Sequence, residues 1–150
     1  MRLDALLAYL HYIAIFSTAF FLLLEWTRCR IPVDDRRALV LARNDMAYGM
    51  SAMLALGTGL LRLFYGVNGT AFYLSNPAFH AKMTLYILVA LLSIGPTVAY
   101  RRWSKGFAAN PGYAVSAREL GRVRLMLGAQ ILLLLLIPAM AVMMARGLRF

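Results

Sequence analysis

"LLAYLHYIAIFSTAFFLLLEW", residues 6–26, decides the fold. A helix needs roughly 20 mostly apolar residues to cross about 30 Å of hydrocarbon, and this run supplies them. Lipid offers nothing to an unpaired peptide group, so such a run has to be helical. It closes on Glu25 and Trp26, a polar and amphipathic pair suited to the membrane surface. A removable leader would have a shorter apolar core, a small-x-small cleavage site and a more basic start than Arg2 followed by Asp4. The run is therefore expected to be a retained span.

Working outward, three more segments have the same character, and the spans are expected at residues 5–26, 46–65, 81–100 and 125–145. The 150-residue chain is 62% hydrophobic, against about 45–50% in a soluble domain. The expected fold class is all-α: an integral membrane four-helix bundle with short loops, forming a single transmembrane domain over residues 1–150. Asp34 or Asp35 can cap a helix that runs through "DRRALVLARND" into the second span. "SARE", residues 116–119, has capping-box spacing just after the Asn110–Pro111–Gly112 turn. The second and fourth helices are thus expected to extend into the cytoplasm beyond the bilayer.

The net charge of +10 would suggest a nucleic-acid partner in a soluble protein. Here the cations lie in short connections between apolar runs, so membrane lipids with anionic head groups are the expected partners, and nucleic acid is not. The first connection carries Arg28, Arg30, Arg36, Arg37 and Arg43; the third carries Arg101, Arg102, Lys105, Arg118, Arg122 and Arg124. "GVNGTAFYLSNP" in the second connection carries none. The excess of positive charge places the first and third connections in the cytoplasm of a bacterial inner membrane, with both termini outside. Arg2, Arg146 and Arg149 pull the other way and are outnumbered. A single cysteine, Cys29, excludes an internal disulfide and a cysteine-based cluster. No Ser–His–Asp set, phosphate loop or pair of carboxylates within one span appears, which removes hydrolase and kinase readings.

Positions three, four and seven apart share one helix face. His11, Ala14, Thr18 and Glu25 form such a stripe in the first span. Asp45, Tyr48, Ala52, Ala55, Gly59 and Arg62 do so in the second, and Lys82, Tyr86, Val89, Ser93 and Tyr100 in the third. Faces of small and polar residues let membrane helices approach closely, within one bundle or across a homo-oligomer interface. In the fourth span only Gln130 and Pro138 interrupt a lipid-like surface, so that helix is expected to pack. Alternating helix direction brings His11, Arg62, His80 and Lys82 to the outer end. Arg43, Asp45 and Glu25 fall at the opposite end, where a solvated or salt-bridged rim is expected.

Ionisable groups at membrane depth are costly and tend to mark function. A neutral imidazole suits iron or copper, and Arg with Lys clamps carboxylates. Haem b offers an iron to ligate and two propionates to neutralise, so His11 and the cations around it suit haem. A hydrogen-bonded packing role for His11 stands beside that reading.

"LHYIAIFSTAFF", "RNDMAYGMSAMLALGTGLLRL" and "FHAKMTLYILVALL" resemble the small four-helix HemJ-type protoporphyrinogen IX oxidases over roughly the first 100 residues. The chain as a whole looks closer still to a bacterial family of predicted four-helix membrane proteins whose function is unassigned. The HemJ resemblance implies that His11 is an axial ligand of haem b, and that the family's His-x-Lys falls on His80 and Lys82. It implies metal ligation by His11 and His80, propionate or substrate binding by Arg62 and Lys82, and a catalytic place for Lys82. It further implies an oxidoreductase acting on a porphyrin precursor and passing electrons to quinone. The last third departs, reading "NPGYAVSARELGRVR" where that family carries an Asn-Glu-Pro-like element. Three other readings remain open. They are a non-enzymatic haem electron carrier or haem-handling protein, a copper site using Met140, Met143 and Met144 with His11, and a structural subunit.

Overall fold

A computed structural model of the chain describes residues 2–66 and 69–146. Its described residues are all-α, with five helices: α1 Arg2–Arg28, α2 Asp35–Tyr65, α3 Gly69–Leu74, α4 Pro77–Ala109 and α5 Ala117–Ala145. All but α3 are long and apolar enough to cross a membrane. At 27, 31, 33 and 29 residues they exceed the expected spans at most of their ends.

The helix starts follow local chemistry. Asp34 is the cap of α2, its side chain accepting from the Arg37 amide at 2.7 Å. Asn76 accepts from the Ala78 amide at 2.9 Å ahead of Pro77, whose fixed φ suits a first helical position. Ser116 accepts from the Glu119 amide at 3.2 Å. The Glu119 carboxylate does not return the bond as a capping box would. It accepts from Trp103 Nε1 at 2.6 Å and pairs with Arg102.

Two segments differ from expectation. The third connection is shorter than its charges suggest, because α4 continues through Arg101, Arg102 and Lys105 to Ala109. Arg and Lys are good helix formers, and the fully buried Trp103 anchors the extension on α5. The second connection contains α3, where Gly69 has φ +72°, a left-handed conformation that side chains resist. Its Tyr73 packs against Phe72 and, across the turn, against Phe79 of α4.

Helix α1 packs mainly on α2, and α4 on α5; α2 also meets α4, and α1 meets α5. The long helices thus form a four-cornered bundle in the order α1, α2, α4, α5. Thr18, Ser51 and Tyr86 fit the small and polar inner faces. Thr18 Oγ1 donates to the Ala14 carbonyl and reaches Ser51 Oγ, and the Tyr86 hydroxyl donates to the Ala52 carbonyl at 2.8 Å. The densest core lies where α1 and α4 end and α2 and α5 begin, built from Leu22, Leu41, Tyr48, Tyr100, Trp103, Leu120 and Leu127. Outward faces carry large apolar side chains, including Phe16, Met50, Leu91 and Leu132. In water so much exposed hydrocarbon would aggregate; in lipid it is solvated.

A tight turn closes this end. Asn110 Oδ1 accepts from the Gly112 amide at 2.8 Å, which brings Tyr113 back over Gly106. A Cβ on Gly106 would lie 2.5 Å from the Tyr113 ring, inside any real contact. Gly106→Ala is therefore expected to lower the melting temperature by several degrees, whereas Gly121→Ala, where a Cβ meets nothing within 4 Å, should not. Thermal unfolding in detergent compares the two.

Candidate functional site

Titratable side chains gather at two levels of the bundle. The first surrounds His11. Its Nδ1 lies 3.0 Å from Thr58 Oγ1 on α2. The Thr58 hydroxyl has one proton, and the Leu54 carbonyl accepts it at 2.7 Å. That arrangement suits the tautomer in which Nδ1 carries the hydrogen and Nε2 keeps its lone pair. Gly59 makes the ring's position possible: a Cβ there would stand 3.1 Å from His11 Cε1.

The charges of Arg62 and Lys82 both act on this imidazole. Lys82 is half-buried with its ammonium 5.4 Å from the centre of the Phe79 ring, and Arg62 Nε is buried without a hydrogen-bond partner. Among the described residues the only ion pair is Arg102 with Glu119, so no carboxylate neutralises Arg62 or Lys82. Asp4 approaches the same end, its Oδ1 beside Gly66 at the close of α2.

His80 stands apart from this group. It is exposed, and its Nε2 lies 2.9 Å from the Leu74 carbonyl. The two-residue spacing from Lys82 turns the side chains toward different helix faces. Met140 and Met143 are half-buried near the end of α5. The Met144 side chain, like Arg149, lies outside the described residues. Among those residues, no three His, Cys, Asp or Glu side chains form a metal-binding group.

The second level is a polar layer to which all four long helices contribute, and it is no solvated rim. Glu25 is 1% exposed, and Tyr100 and Gln130 are fully buried. Asp45 accepts from Thr97 Oγ1 at 2.8 Å, while the Tyr48 hydroxyl donates to Gln130 Oε1 at 3.0 Å, joining α2 to α5 across the bundle. The Asp45 charge acts on Glu25. Cys29 closes this level just beyond α1. Its amide donates to the Glu25 carbonyl, and its own carbonyl accepts from Arg124 Nη1 at 2.6 Å.

Burial pushes the Cys29 thiol up to about 11, against the milder opposing effects of Tyr100 and Arg124. The reactive thiolate then forms less than about one part in a thousand at pH 7. Alkylation of the native protein is expected to be very slow at neutral pH, to quicken as pH rises toward 11, and to be complete after denaturation. Rapid labelling at pH 7 would contradict this.

Periodicity placed Glu25, Asp45 and Tyr100 on inner stripes, but grouping Glu25 and Asp45 with Arg43 suggested a solvated or salt-bridged rim, and among the described residues Arg43 forms no ion pair. The signal for this layer was Gln130, a lone amide in an otherwise apolar helix.

Fold and sites together define a multi-pass, all-α membrane protein with polar groups held inside its bundle. The chain belongs to the family of predicted membrane proteins termed DUF2214, whose model matches residues 3–149. No curated protein and no solved structure matches it.

Proposed function

We propose that this protein is a haem-b-binding membrane protein in which His11 ligates the iron through Nε2 and Arg62 and Lys82 hold the propionates. One observation carries the reading: Thr58 meets Nδ1 at hydrogen-bond distance, which suits Nε2 as a ligand, beside two cations that form no ion pair among the described residues. Nδ1–H bonding to a second group is what orients and strengthens an imidazole ligand. The resemblance of the first 100 residues to HemJ-type oxidases agrees with it. When bound, the haem would supply one-electron redox chemistry; the chain's residues would orient it and balance its charge.

Titration of haem into the apoprotein in detergent tests this, with one haem b per chain expected. Thr58→Val should weaken binding about 10- to 100-fold, as loss of a group behind a metal ligand does. Unchanged affinity in Thr58→Val would remove the assigned tautomer.

The oxidase reading adds a substrate, since porphyrinogen carboxylates suit Lys82, with quinone as electron acceptor. A haem electron carrier needs no such substrate. Turnover of protoporphyrinogen IX by the haem-loaded wild-type protein marks the oxidase. Full haem content without turnover marks the carrier.

The basic end faces the cytoplasm of a bacterial inner membrane, leaving both termini outside. Support comes from the eleven cations of the first and third connections against none in residues 66–77. In a Cys29→Ser background, a cysteine at the exposed Ser75 should react with an impermeant maleimide on intact spheroplasts. One at the exposed Lys105 should react only after lysis, and the reverse pattern would invert the topology.

A further inference from the structure

We infer that Glu25 is a proton-binding site inside the bundle, exchanging its proton with internal water held between Glu25, Tyr100 and Gln130. This site is at the opposite end from His11 and stands independently of haem binding.

Glu25 is buried, and its Oε1 has no hydrogen-bond partner. An isolated carboxylate in an apolar interior is among the costliest groups to bury. No cation among the surrounding groups relieves it. From α2 come Asp45, itself acidic, and Tyr48, whose hydroxyl is committed to Gln130. From α4 comes Tyr100, and from α5 come Gln130 and Arg124. Arg124 directs Nη1 to the carbonyls of Trp26 and Cys29 and stacks over the Trp26 ring. The Cys29 thiol adds no positive charge.

Of the two neighbouring carboxyls, Asp45 is the one equipped to be ionised. It accepts the Thr97 hydroxyl and feels the positive charge of Arg101. Glu25 has the Tyr100 hydroxyl beside it but no cation acting on it. Two buried carboxyls whose charges act on one another favour holding one proton, and these contacts assign it to Glu25.

The same polar layer holds further buried polar atoms that point to water. Tyr100 and Gln130 are each 0% exposed, and the Tyr100 hydroxyl and Gln130 Nε2 have no partners. Tyr100 lies beside Glu25 and Cys29, and Gln130 is tied to the layer through Tyr48. One amide donor, one hydroxyl and one carboxyl oxygen are what an internal water, both donor and acceptor, can bridge. A carboxylic acid joined to water within a membrane bundle can exchange its proton, as acidic relays in membrane proteins do.

Infrared spectroscopy of the full chain in lipid vesicles at neutral pH tests this. The wild type should show the carbonyl-stretch band of a protonated carboxylic acid, shifted downward in D2O. The band should vanish in Glu25→Gln, a neutral isostere, and persist in Asp45→Asn. The inference is overturned if no band appears, if it survives Glu25→Gln, or if it disappears in Asp45→Asn alone. A band that fails to shift in D2O also overturns it, since the proton would then be sealed from water. The wild-type measurements stand without either variant.

Discussion

His11→Ala is expected to abolish haem retention while leaving the bundle assembled. The substitution removes the proposed iron ligand, and the other histidine is not placed to replace it. His80 is committed outward to the Leu74 carbonyl. The structural cost is small for three reasons. The imidazole is only half-buried, Thr58 keeps the Leu54 carbonyl as acceptor for its proton, and the ring's space borders Gly59, where no side chain is left unsupported. Circular dichroism and gel filtration in detergent should match the wild type, with haem content near zero. Haem content equal to wild type would end the assignment of His11, and loss of the folded species would point to a packing role instead.

The largest loss of stability is expected from Trp103→Ala, at about 3–5 kcal/mol, the range for emptying a buried tryptophan site. Trp103 is fully buried, meets Tyr100 edge-to-face at 5.5 Å, and donates to Glu119 at 2.6 Å. It joins the end of α4 to the start of α5, in the part of the bundle that continues past the apolar spans. Glu119 would keep Arg102 as a partner, so the deficit comes mainly from lost packing. Reversible unfolding in mixed micelles measures it. Trp103→Phe should recover most of the loss, and an Ala variant within about 0.5 kcal/mol of wild type, the range of ordinary surface changes, would contradict the central place given to this residue.

How much of this was legible beforehand depends on what each signal measures. Hydropathy reports lipid, and it located four long helices. Helical periodicity reports which side faces the neighbours, and it correctly turned Ala14, Thr18, Asp45, Tyr48 and Tyr100 inward. Charge was misleading in two places. Arg101, Arg102 and Lys105 read as a loop, yet they are helical because Trp103 between them is anchored. Arg43 with Glu25 and Asp45 read as a solvated or salt-bridged rim, yet Arg43 is exposed and the two carboxyls are buried, while Arg124 is directed to backbone carbonyls and Arg102 to Glu119. Which cation reaches which acceptor is decided by tertiary geometry, and no pattern along one chain encodes it. The same limit applies to His80, whose adjacency to Lys82 in sequence becomes separation on the helix. The Thr58 contact was invisible in sequence, since only the packing of α1 on α2 brings its hydroxyl to His11.

The most direct test of a haem at His11 is the reduced-minus-oxidised optical spectrum of the wild-type protein, purified from cells supplied with ample haem. The sharp reduced bands of a b-type haem, at one haem per folded chain, are the expected result. A well-folded protein with a featureless visible spectrum would contradict it.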